Sequence, residues 1–202
     1  MRLVIFGAGG MGRELCDIAL RQGLQVVFAV DRAHSPGPEI QGIPVIDPSE
    51  IEPADRITFA LGSSAARRAA AERFSTCGAA TLIAPSAIVS PWARIGEGSQ
   101  LGDYAVVNNS ARIGRHVQLN TFAQVSHDCI LEDFVTVAPN VSCNGWVHVE
   151  EEAFIGASAV IRNGEPGKRL RIGRGATIGM GAVVIGDVPA GATMVGNPAR
   201  RR

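Results

Sequence analysis

The chain has 202 residues with 19 basic and 19 acidic side chains, a balance that offers nothing to a nucleic acid or an anionic membrane surface. No stretch approaches the ~18 apolar residues that a bilayer span needs. Met1-Arg-Leu-Val-Ile leads straight into a strand pattern without a signal-peptide profile, so a cytoplasmic protein is expected, and Cys16, Cys77, Cys129 and Cys143 lack metal-ligand spacing, so no metal is expected.

Residues 2–6 read as a buried strand, and Gly7-Ala-Gly9-Gly10-Met11-Gly12 follows at once. Arg13 to Gln22 then carries a helical pattern with Leu15, Ile18 and Ala19 on one side. A second strand, Leu24 to Val30, ends at Asp31. Strand, glycine turn, helix, strand and acidic residue is the setting that gives a GxGxxG motif meaning. Its backbone N–H groups can approach a phosphate at the helix N-terminus, and Asp31 can accept from ribose hydroxyls. Ile57 to Leu61 reads as a further strand and Ala65 to Phe74 as a helix, which puts Gly62 and Ser63 at the strand's carboxyl end, where open α/β sheets bind ligands. The pattern stops near residue 80. That is one mononucleotide-binding half, too little for a full dinucleotide site.

From Ile83 an aliphatic residue recurs every six positions: Val89, Ile95, Leu101, Val107, Ile113, Leu119, Val125 and on to Ile161, broken only by Cys143. A second track of mostly small residues, such as Ala105, Ala111 and Ala123, runs two positions ahead. A period of six suits neither a long helix nor a long strand, but it suits a coil of short strands, the parallel β-helix of hexapeptide repeats. Large and small residues fill the interior, and glycines after the aliphatic position, as at Gly96, Gly102, Gly114, Gly156, Gly173 and Gly179, are expected to let the chain bend. The series resumes at Ile172 after a segment five residues longer than one repeat, read as an extruded loop over 162–171 with Lys168 and Arg169 as candidate phosphate contacts. Cys129 and Cys143 fall on the interior tracks as buried free thiols.

Phase in the repeat sorts the four histidines. His127 lies two residues beyond interior Val125 and points outward, with Asp128 next to it as a carboxylate able to orient the imidazole. His116 and His148 sit at other phases and read as surface residues, while His34 follows Asp31 and borders the nucleotide site.

Nearly the whole chain resembles the nucleotide-aminosugar N-acetyltransferases and their sialic-acid O-acetyltransferase relatives, members of the hexapeptide-repeat acyltransferases. The matching stretches are Ile5-Phe-Gly-Ala-Gly-Gly-Met-Gly12, Phe28-Ala-Val-Asp31, Ala60-Leu-Gly-Ser63, Leu119-Asn120-Thr121, Val125-Ser-His-Asp128 and Gly196-Asn-Pro-Ala-Arg200. Met11 departs from the histidine that many members carry there. The resemblance implies a small Rossmann-like domain over 1–80 that holds the sugar nucleotide. It implies a left-handed parallel β-helix over 81–202 that binds acetyl-CoA between the subunits of a homotrimer. It makes His127 the general base and Asp128 its partner. Gly7, Gly9, Gly10, Met11, Gly12, Asp31, Gly62, Ser63 and Asn120 are then substrate contacts, and Thr136, Gly145, Ala157, Gly179, Asn197 and Pro198 cofactor contacts, with Gly145 donating to the oxyanion.

The expected reaction is transfer of acetyl from acetyl-CoA to the amine of a nucleotide-linked deoxyaminosugar. The alternative is O-acetylation of a sialic-acid-type sugar. A metal-dependent hydratase would need three converging histidines, a dehydrogenase has only the glycine motif behind it, and a scaffolding coil would not bind acetyl-CoA.

Overall fold

In the computed structural model, which describes residues 2–202, an N-terminal sheet with two helices sits against a three-sided coil of short strands. The sheet contains β1 (Leu3–Phe6), β2 (Val26–Ala29), β3 (Glu39–Ile40), β4 (Ile43–Ile46), β5 (Arg56–Phe59) and β6 (Gly78–Ala79) in the order β3-β4-β2-β1-β5-β6. Only β3 runs antiparallel. The central strands are continuous apolar runs because both of their faces are covered. Leu3, Ile5 and Phe28 pack with Leu15 and Ile18 of α1 (Gly10–Arg21), and Val4, Ile57 and Phe59 pack with Ala70 of α2 (Ser64–Arg73). Helix α1 begins at Gly10 and not at Arg13, since the last glycines of the motif form its first turn. The β3–β4 hairpin escaped the sequence pattern because β3 is only two residues long and Gln41 and Gly42 turn it at φ of 52° and 77°.

From Leu82 the chain winds over three faces. The first carries strands beginning at residues 82, 100, 118, 136, 154, 177 and 193; the second at 88, 106, 124, 142, 160 and 183; the third at 94, 112, 130, 147 and 170. Along each face, up to the 162–171 insertion, a strand pairs in parallel with one 18 residues on, Gln100 beside Gln118 and Gln118 beside Thr136. Both sequence tracks fill the interior, from Leu101 and Ala105 to Ile178 and Ala182. Cys129 and Cys143 are buried free thiols there, both with Sγ turned to the Asn144 carbonyl.

The bend is not made by the glycines that follow the aliphatic residue. It is made two residues later, where Tyr104, Ser110, His116, Phe122, Asp128, Phe134, Asn140, Trp146, Glu152 and Ser158 all take φ between 53° and 62°. The glycines answer a different demand, close approach of the next coil: a Cβ on Gly156 would lie 2.6 Å from the Met180 nitrogen.

The N-terminal unit covers the first face and the corner where the third face turns into it. Gln100 donates to Thr58 Oγ1 at 2.8 Å and to the Phe59 carbonyl at 2.9 Å. Arg68 pairs with Glu151 at 3.0 Å and Glu152 at 2.5 Å, and Arg21 with Asp103 at 2.7 Å. His116 is therefore no surface residue; it is 4 % exposed, stacked on Phe134 at 5.1 Å and tilted against Phe59. His148 is half-buried and meets Glu132 at 2.7 Å. The coil ends in an antiparallel strand, Arg200–Arg201, laid against Met194 and Val195. Among the described residues no helix is long and apolar enough to cross a membrane.

Candidate functional site

The first cluster lies at the carboxyl edge of the N-terminal sheet. Gly7 has φ of 104°, and a Cβ on it would meet the Ala60 carbonyl at 2.9 Å; a Cβ on Gly12 would run into the Gly7 carbonyl. Packing demands both glycines. Gly9 and Gly10 are different, because nothing lies within 4 Å of a Cβ built on either, so open space stands over the turn where α1 presents its free N–H groups. A cavity of about 350 Å³ opens there, lined by Gly7, Gly9, Asp31, His34 and Leu61 among others. Asp31 is half exposed and meets Arg73 at 3.4 Å. Ser63 caps α2, its hydroxyl accepting from the Ala66 N–H at 3.3 Å. The Met11 sulfur accepts from Gln118 Nε2 at 3.1 Å, which turns that side chain toward the coil and leaves only its backbone in the glycine turn.

The second cluster lies on the corner between the second and third faces. His127 is 58 % exposed at its side chain, with Nδ1 2.8 Å from Asp128 Oδ2. If Nδ1 carries the proton that Asp128 accepts, Nε2 is left as the free lone pair. Gly145 stands one coil further along the same corner, where a Cβ would lie 2.6 Å from Cε1 and 2.7 Å from Nε2 of His127. Only glycine fits. Among the described residues the Gly145 N–H meets no acceptor, while its carbonyl accepts from Gly164 at 2.9 Å.

The inserted 162–171 segment leans over this corner instead of standing free, which corrects the expectation of an extruded loop for Arg169. Arg169 Nε donates to the Asp128 carbonyl at 3.2 Å, and its guanidinium lies 5.1 Å from the Trp146 ring. Lys168 stays exposed.

The remaining predicted residues lie elsewhere. Asn120, Ala157 and Gly179 fall where the first face turns toward the second, away from His127. Asn120 Nδ2 is taken by the Val137 carbonyl at 2.9 Å, and with Met11 and Thr121 it lines a cleft of about 190 Å³. Asn197 and Pro198 lie exposed on the turn after the Thr193–Val195 strand. Thr136 is a correction: it is 3 % exposed and its hydroxyl accepts from Arg67 at 2.8 Å, so the N-terminal unit covers it. A cavity of about 410 Å³ opens on the seam between the two units, lined by Phe59, Phe74, Cys77, His116 and Phe134; none of the predicted site residues lines it. Arg67 and Gln118, central to the seam, were missed. The signal was the row of polar side chains Gln100, Gln118 and Thr136 at one outward phase, which no solvent-facing role required.

Among the described residues no three His, Cys, Asp or Glu side chains converge as a metal site. Residues 2–74 match the PglD N-terminal domain. GDP-perosamine N-acetyltransferase from Escherichia coli O157:H7 is 36 % identical over 209 residues, covering 97 % of this chain and 94 % of that one. The acetyltransferase domain of PglB from Neisseria gonorrhoeae FA1090, solved with acetyl coenzyme A, superposes with a TM-score of 0.92 at 35 % identity, covering 100 % of this chain and 98 % of that one. PerB from Caulobacter crescentus, solved with CoA and GDP-perosamine, superposes with a TM-score of 0.90 at 28 % identity, covering 100 % and 97 %.

Proposed function

This chain belongs to the nucleotide-aminosugar N-acetyltransferase family of hexapeptide-repeat acyltransferases, and from that we propose that it moves acetyl from acetyl-CoA to the amine of a GDP-linked deoxyaminosugar with His127 as general base. One observation carries the assignment of the base: an outward imidazole held by Asp128 on one nitrogen, beside the unpaired Gly145 N–H. As the amine attacks the thioester carbonyl, Nε2 takes its proton; the Gly145 N–H meets the developing oxyanion; collapse expels the CoA thiolate, which recovers the proton. A positioned base contributes ~10²–10⁴-fold and an oxyanion donor a similar factor.

Geometry also supports a homotrimer of left-handed coils. The N-terminal unit covers the first face, and His127 lies at the opposite corner, between the other two. A sugar nucleotide in the Gly7–Asp31 cavity is then on the far side of the prism from its own His127, so a neighbouring chain has to supply the base. The same packing lets Ala157 and Gly179 of one chain face His127 of the next across a shared acetyl-CoA cleft.

The test is a steady-state assay of acetyl-CoA with GDP-perosamine, with UDP- and dTDP-linked aminosugars alongside. An alkali-stable amide product from the GDP sugar is expected. Turnover of none of these sugars would sink the proposal, and an alkali-labile ester would redirect it to O-acetylation.

A further inference from the structure

Arg67 heads the fully buried side chains by volume, at 1 % exposure, and among the described residues it has no carboxylate partner. A buried charge left so is costly unless every donor is taken up. Here they are. Nε donates to the His116 carbonyl at 3.3 Å, and Nη2 to the Phe134 carbonyl at 2.7 Å and Thr136 Oγ1 at 2.8 Å. Nη1 donates to Gln118 Oε1 at 2.9 Å and to the carbonyls of Leu61 and Gly62 at 2.9 and 3.4 Å. Burial lowers its pKa to about 10, which leaves it charged at neutral pH.

Four of these acceptors belong to the coil, but Leu61 and Gly62 form the turn between β5 and α2, and Leu61 lines the cavity that holds Gly7, Gly9 and Asp31. Gln118 Nε2 adds a second donor to the Leu61 carbonyl at 3.2 Å. In a trans peptide the N–H points opposite to the preceding carbonyl. With the Leu61 and Gly62 carbonyls drawn toward the coil, the N–H groups of Gly62 and Ser63 point away from it, and among the described residues neither finds a protein acceptor.

We propose that Arg67, assisted by Gln118, is a positioning residue for the diphosphate of the sugar nucleotide: by holding two carbonyls inward it turns the Gly62 and Ser63 N–H groups toward the cavity as phosphate donors. The proposal rests on the sugar-nucleotide reading above. It makes the seam between the two units part of substrate recognition and not only a joint.

The test compares the wild-type protein with Arg67→Lys, which keeps the charge but loses the planar fork that spans both carbonyls. KM for GDP-perosamine should rise tenfold or more, with kcat and the acetyl-CoA KM within twofold. Inhibition by GDP should weaken by the same factor while inhibition by guanosine, which has no phosphate, stays unchanged. An unchanged sugar-nucleotide KM with a lowered melting temperature would make Arg67 a structural bolt and overturn the proposal, as would equal weakening by GDP and guanosine. Where the lysine variant fails to fold, Ser63→Pro deletes one of the two donors at a φ of −78° that proline accepts. It should raise the same KM several-fold, and no change there overturns the proposal equally. Failure of the parent reading is distinguishable, because wild-type protein would then bind neither GDP nor GDP-perosamine.

Discussion

In the proposed mechanism His127 and Asp128 divide their labour at neighbouring positions of one turn. His127→Ala should lower kcat by ~10²-fold or more with both substrates still bound, because it removes the proton acceptor while the interior stays intact; near-normal kcat across pH 6 to 9 would assign the proton to water or to another group. Asp128 adopts φ of 59°, a conformation asparagine tolerates, so Asp128→Asn should fold normally and cost less in kcat than the histidine change. Gly145→Ala should cost nearly as much as losing the base. Its methyl group has to displace the His127 ring from 2.6 Å, and a substituted enzyme with unaltered kcat would remove Gly145 from the site. His127 was legible from the sequence because phase alone sets inside from outside in a period-six coil. Thr136, expected from the resemblance to touch the cofactor, sits at an outward phase, and only the fold says that another part of the chain lies over that outward face.

Elements obey the same distinction. The repeat made the interior positions up to Ile161 readable in advance but not Leu170, Val188 or Ala199 beyond the insertion, and it concealed the division between glycines that lie under the next coil and left-handed residues that turn the corner, since the first role is steric and the second conformational. Gly156→Ala should cut stability by ~1–3 kcal/mol through backbone displacement, read as a lowered melting temperature with unchanged secondary structure. His116 adds a pH signature to the seam. Burial, reinforced by Arg115 and Arg67 and opposed by Asp133 and Glu97, holds its pKa below the ordinary 6.5. The unfolded chain then takes up a proton that the folded one refuses, so stability falls as pH drops from about 6.5 toward the lowered folded value. Melting temperature should decline over that window, and the decline should flatten in His116→Asn, whose side chain tolerates the same φ of 53°. Equal slopes in the two proteins would relieve His116 of that role.

At the scale of the whole molecule, the proposed trimer, with the sugar-nucleotide cavity and His127 on opposite sides of one chain, predicts complementation between damaged chains. His127→Ala and Asp31→Ala proteins, each impaired at low sugar nucleotide, should regain activity when unfolded together and refolded, because some clefts then join an intact cavity to a neighbour's intact His127. Random assortment gives ~25 % of clefts repaired; no recovery, or a mass of one 21.1 kDa chain at full activity, counts against the trimer. No single sequence motif announces this arrangement, for it follows from which face the N-terminal unit covers.

The final strand, Arg200–Arg201, has a meaning beyond its position. A stack of parallel strands is open at its ends, and each open end offers unpaired backbone groups on which another chain can polymerise. An antiparallel strand of two exposed arginines pairs the free edge of the first face and leaves charged side chains where a second molecule would have to dock. The charged strand is therefore expected to make end-on strand pairing less favourable there. Replacing both arginines with valine should leave the His127 corner untouched while turning a clear solution turbid at high concentration, as light scattering would register.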